Sequence, residues 1–202
     1  IGRLARGLCG REDVAEGVVR FVVLKGVTMV ARWRDENAAE RWFLHHTVLT
    51  ARRAAAHQPN ASQDLLATGG DPRYVAFVRA FRQLPQQQRE AVLLNFGERF
   101  NARYLSIAMD CSTEAAQNHL DSGMAALKNI SGVEFGPLVD RLATVYAHLG
   151  PPAESVPPAV GRWVKRGLRP RRVRRAIWLL VGVVVVVALA AAAWRWRAAL
   201  GW

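Results

Sequence analysis

A chain of 202 residues, 51% of them apolar, can bury a core of ordinary size in one or two domains. Its 28 basic and 16 acidic side chains give a net charge of +12, a balance that points to nucleic acid, an anionic membrane surface, or both. Two cysteines, Cys9 and Cys111, with no Cys/His cluster near either, argue against a zinc site or a disulfide framework and fit a reduced, cytosolic body in which both thiols are packing groups.

The chain opens at Ile1 with no methionine and no secretory-type leader, as expected of a fragment that has lost its true start. From Arg11 to about Ala56 apolar residues recur at helical spacing with few breakers other than Gly17 and Gly26, predicting two or three helices. The adjacent His45 and His46 point apart on such a helix and cannot share one metal. Residues 57–72, "HQPNASQDLLATGGDP", gather Pro, Asn, Ser and Gly into a linker.

Helical spacing resumes over 73–84 through Val75, Phe77, Val78, Phe81 and Leu84, and Pro85 suits the first turn of the next helix. That helix places Val92, Leu93 and Phe96 on one face. A third is predicted near Asn101 to Met109. A fourth starts at Ser112, whose hydroxyl can cap it while Glu114 sits favourably in its first turn. An additional amphipathic helix, "FGPLVDRLATVYAHL", falls within residues 131–150. No internal repeat and no convincing strand pattern occurs, so the expected fold is all-α.

The charge is unevenly spread: ten basic and six acidic groups over residues 1–53, eight and nine over 54–150, ten and one over 151–202. Four prolines within residues 151–161 predict a stiff, extended spacer. A run of eight basic residues, from Arg162 to Arg175, precedes "AIWLLVGVVVVVALAAAAW", residues 176–194, which carries no charge and is long enough as a helix to span a bilayer. Trp178 and Trp194 stand near its ends, where amphipathic rings favour the interface. The basic run on its amino side, against Arg195 and Arg197 in the short tail 195–202, predicts a single pass with the N-terminal body in the cytoplasm. Most of the positive excess is therefore expected to be a membrane stop.

Residues 84–128, "LPQQQREAVLLNFGERFNARYLSIAMDCSTEAAQNHLDSGMAALK", carry a recognisable pattern: Leu84-Pro85, Arg89-Glu90, an aliphatic run, a short turn, a helix, a capping Ser112 and a closing helix ending near Leu127. The stretch resembles, without a gap, region 4, the C-terminal DNA-binding domain of bacterial RNA polymerase sigma factors of the extracytoplasmic-function type. It departs from that family at Arg99 and Asp110, where turn glycines are favoured, at Tyr104 and Ser106, at Ala115, and at His119, where an arginine is usual. Upstream, "GREDVAEGVVRFVVL" resembles the region 2 helix that docks on the polymerase core, and "ERWFLHHTVLTARRA" resembles the following helix, which helps open and read the promoter. The first part of region 2 is absent, and the resemblance covers about residues 8–128.

The resemblance implies a helix-turn-helix domain over 73–130 behind a region 2-like module over 1–56. It implies DNA contacts from Ser112, Thr113, Glu114, Gln117, Asn118 and His119 on the recognition helix, and from Trp42, Arg52 and Arg53 upstream. Glu12, Asp13 and Val14 would meet the polymerase. Amides such as Gln117 and Asn118 can pair with adenine edges, and an aromatic face beside arginine suits unstacked bases. Plainer roles stand beside these: Trp33, Trp42 and Phe43 as core, Arg52 and Arg53 as a solvated face, Glu12 and Asp13 as an ordinary helix start. The implied function is a membrane-anchored sigma-like factor that binds RNA polymerase core and promoter DNA to direct transcription initiation, with an anti-sigma factor or a releasing protease as further partners. The alternative is a degenerate sigma-like adaptor, or an anti-sigma-like regulator, that does not read DNA; Glu114 and Asp121 on the recognition helix favour it. Paired carboxylates, a Ser/His/Asp set, metal spacing and a Gly-rich phosphate loop are all missing from the sequence, so no catalytic residue, metal or cofactor is expected.

Overall fold

Local capping chemistry sets many of the helix boundaries. In a computed structural model describing residues 1–56, 64–67, 71–150 and 160–162, Asp35 accepts from the Ala38 amide (2.7 Å), Asp71 from Arg73 (2.9 Å), Asn101 from Tyr104 (3.1 Å) and Ser112 from Ala115 (3.1 Å). Each cap satisfies an amide that the first turn leaves without a carbonyl, worth about 1 kcal/mol. These caps open α3, α4, α6 and α7 of the series α1 (Gly2–Cys9), α2 (Glu12–Val27), α3 (Glu36–Ala56), α4 (Pro72–Gln83), α5 (Gln86–Glu98), α6 (Ala102–Met109), α7 (Thr113–Ser131) and α8 (Phe135–His148). Short 3-10 turns lie at Val30–Arg32, Leu65–Ala67 and Gly132–Glu134, and there is no strand among the described residues.

These helices belong to a unit running from Ile1 to Val160. At its centre is α5, where Glu90, Ala91, Val92, Leu93 and Leu94 are all buried. A helix buried on every side is enclosed by neighbours, and α5 packs against α7, α8, α6 and α1. The single apolar face expected from Val92, Leu93 and Phe96 is thus too narrow a description. Phe96 is only partly buried, while Ala91 and Leu94 are fully enclosed.

The upstream and downstream helices share one continuous core, from Leu4, Val18, Val22 and Val48 through Phe77, Leu93 and Leu105 to Leu142. Polar contacts reinforce the join. Arg82 of α4 donates to the backbone carbonyls of Gly7 (2.9 Å) and Leu8 (3.1 Å) at the end of α1, and pairs with Asp64. Arg3 reaches Glu98 (2.7 Å), which also accepts from the Tyr146 hydroxyl (2.5 Å). The Tyr146 ring lies between Gly7 of α1 and Gly97 of α5, where a Cβ on either glycine would come within 2.5 and 2.7 Å of it.

Two sequence expectations are refined here. Helix α1 precedes the first predicted helix, because its Gly2 and Gly7 weaken the local signal while Leu4, Ala5 and Leu8 pack inward. Within the expected linker 57–72, the described Leu65–Ala67 turn is anchored: Leu66 is fully buried and the Leu65 amide donates to the Gly10 carbonyl (2.8 Å). The expected spacer, basic run, membrane span and tail, residues 151–202, lie outside the described residues apart from 160–162. Among the described residues no helix is long and apolar enough to cross a membrane.

Candidate nucleic-acid interface

Helices α6 and α7 are joined by the three residues Asp110, Cys111 and Ser112, a helix-turn-helix connection. The turn is closed by backbone bonds: the amides of Asp110 and Cys111 both donate to the Ser106 carbonyl, the latter at 3.1 Å. Asp110 is left-handed, with φ 59°, and so is Arg99 (φ 57°), which ends α5 one helix earlier. These are the only non-glycine residues with positive φ among the described residues. A side chain at such a position costs about 1–2 kcal/mol relative to glycine, less for aspartate than for arginine.

Helix α7 buries Ala116, Leu120, Gly123 and Leu127 and turns its other side outward. A Cβ on Gly123 would meet Val92 Cγ2 at 2.9 Å, so this glycine permits the close seating of α7 on α5. Ser112, Thr113, Glu114, Gln117 and Asn118 are exposed and His119 is half-buried. The expected contact residues of the second helix therefore do share one accessible region. Its polarity is unlike that of a phosphate-gripping surface. Glu114 and Asp121 are exposed, Gln117 donates to Asp121 (2.9 Å), and the Thr113 hydroxyl lies 3.4 Å from that of Ser106. Of the exposed cations between the end of α5 and the end of α7, Arg99 and Arg103 precede the helix and Lys128 lies towards its far end; the Lys128 ammonium sits over the Phe135 ring at 5.4 Å.

Trp42 occupies a second region, the corner between α2 and α3. Its ring stacks on His46 (3.9 Å between centroids) and meets Phe43 edge-on (5.2 Å), while Trp33 contacts both Trp42 (5.4 Å) and Phe43 (5.3 Å). Gly26 admits this cluster, since a Cβ there would come within 2.6 Å of Phe43 and 3.2 Å of Trp42. Burial and the nearby Lys25 hold the His46 imidazole below its usual range, so the stacked ring is mostly neutral at pH 7. The Lys25 ammonium lies 6.0 Å from the Trp42 ring, and Phe21 and Val30 remain more than half exposed. No local sequence signal marks the approach of Lys25 to Trp42, because it depends on how α2 crosses α3.

The remaining expected contacts divide. Arg53 is exposed at the end of α3. Arg52 is partly buried, its side chain 26% exposed. Its guanidinium is turned into the fold, where it clasps both oxygens of the buried Glu90 carboxylate (3.1 and 2.6 Å). Glu12 and Asp13 form the first turn of α2 with Val14, and pair with Arg6 (2.5 Å) and Arg11 (2.6 Å) respectively. Those hydrogen-bonded guanidiniums hold both carboxyls below their ordinary range. Acid at a helix start is itself favourable, which gives these two residues an adequate local role. Among the described residues no group of three metal-ligating side chains converges. No protein-family model matches this chain, and neither a curated relative nor a solved structure matches it.

Proposed function

We propose that the chain is a sigma-like transcription factor, anchored by a single pass over residues 176–194, whose helical body binds RNA polymerase core and presents α7 to promoter DNA. The observation that carries this reading is the coincidence of Arg99 and Asp110 with left-handed turns. They stand where the resemblance to sigma region 4 calls for glycine, the residue that adopts this conformation most readily, and that agreement supports the reading. Residues 73–128 hold seven basic and five acidic groups, so the phosphate contribution to binding is small and unaided affinity for DNA is low. Attachment to the polymerase supplies the missing affinity by raising the effective concentration of the second contact. The test is association of the full chain, in detergent, with core polymerase, followed by promoter-dependent transcription. Binding at micromolar protein with specific initiation supports the reading, and absence of both defeats it.

A second reading, a membrane-held adaptor on a sigma-like scaffold, is favoured by one specific observation: the outward side of α7 carries Glu114 and Asp121. Salt separates the two. DNA binding by the polymerase complex weakens steeply between 50 and 200 mM salt if phosphates are contacted, as is general for such interfaces. An adaptor shows partner capture with no DNA contribution to weaken.

A further inference from the structure

We propose that Arg52 is a positioning residue of the helix-turn-helix: reaching in from α3, it braces the turn through Glu90 and the end of α6, without itself touching a ligand. Three observations converge on it. Glu90 lies in the middle of the central helix with its side chain only 3% exposed, and its carboxylate is held by both arms of the Arg52 fork and by the Gln86 amide (3.2 Å). The same Nη2 that pairs with Glu90 also donates to the Met109 carbonyl (3.4 Å). Met109 is the last residue of α6, so its carbonyl is among those a helix end leaves without an intrahelical partner, and a cation there also complements the helix dipole. Asp110 and Cys111, the first two residues of the turn, lie within electrostatic reach of the guanidinium.

The geometry explains the residue type. A planar fork can hold two carboxylate oxygens and still offer an N–H to a third acceptor, whereas a lysine ammonium is a point charge on a flexible stem. A helix-turn-helix usually orients its second helix through its own turn and core. Here the turn also leans on a residue 57 positions upstream, on the helix that bears Trp42. How α7 is presented to DNA thus depends on where α3 sits. That purpose rests on the sigma-like reading above, whereas the brace can be measured without DNA.

The test is amide hydrogen exchange on the full chain in detergent, comparing peptides over Asp110–Ala116 with peptides over α8. Two variants are used: Arg52→Lys, which keeps the charge and loses the fork, and Arg52→Met combined with Glu90→Met, which removes the buried charges together and leaves the Met109 carbonyl without its donor. Both should speed exchange at Asp110, Cys111, Ala115 and Ala116 at least tenfold while α8 is unchanged, with the double variant keeping a thermal midpoint near that of the parent. Unaltered exchange at the turn, an equal rise in α8, or turn protection in the double variant would each overturn the proposal. Should Arg52→Lys fail to fold, the double variant decides alone. A parent chain that binds neither polymerase nor DNA, together with variants that show this exchange pattern, sinks the sigma-like reading and leaves the brace standing.

Discussion

The helix-turn-helix and the aromatic corner between α2 and α3 divide between them what a nucleic-acid reader ordinarily holds in one place. The first has the geometry: a capped second helix, a three-residue turn and an accessible polar side, but acids at Glu114 and Asp121. The second has the chemistry: stacked rings at Trp42 and His46, a cation at Lys25 and an exposed apolar group at Val30 in the connection between the two helices. The difference teaches that backbone pattern and surface character are independent. A turn is built by a few residues close in sequence, whereas a surface is assembled by helices meeting across the fold.

The comparison can be broken most forcefully in the buried part of the helix-turn-helix. Leu105→Ala removes a fully enclosed side chain of α6 and should cost about 2–5 kcal/mol in urea denaturation. A loss below half a kcal/mol would mean α6 is not packed as described. Next comes Gly26→Ala, which pushes a methyl into the Trp42 and Phe43 rings. It should destabilise by about 1–3 kcal/mol and change tryptophan fluorescence, because the indoles must shift. Ser112→Ala removes the cap of α7 at a cost of about 1 kcal/mol, read by thermal unfolding.

Smaller effects sharpen the contrast. Arg99→Gly should stabilise by up to about 1 kcal/mol, since a left-handed arginine is replaced by the residue that adopts that conformation without strain. Asp110→Gly should gain less, because aspartate tolerates the left-handed region better. Stability should also decline at alkaline pH. Burial pushes the Cys9 thiol from 9.0 up to about 11, so the fold favours the neutral thiol. That contribution is complete below pH 9 and is lost as pH rises towards 11, and Cys9→Ala should flatten the decline over that window.

Much of the fold could be read from the chain, and the reason is local. Ser112 before an apolar-periodic run, Pro85 ahead of α5 and the spacing of Phe77, Val78 and Phe81 all act within a turn or two, so α4 to α8 fall close to their predicted places. Helix α1 could not be read, because its glycines argue against a helix and only tertiary burial of Leu4, Ala5 and Leu8 outweighs them. The same limit applies to the candidate site. The exposure of Ser112, Thr113, Glu114, Gln117 and Asn118 follows from helix geometry, while the inward turn of Arg52 depends on Glu90, 38 residues away, and on no local signal.

The ring of Tyr146 seated between Gly7 and Gly97 carries one more consequence. It acts as a keystone whose slot is cut by two absent side chains, one from each flanking helix. A shortened version of this body that stops before the last turn of α8 would keep every helix of the turn motif and still lose the wedge that sets the distance between α1 and α5. The last turn of α8 therefore belongs to the support of the motif, although it lies well beyond the motif's last residue.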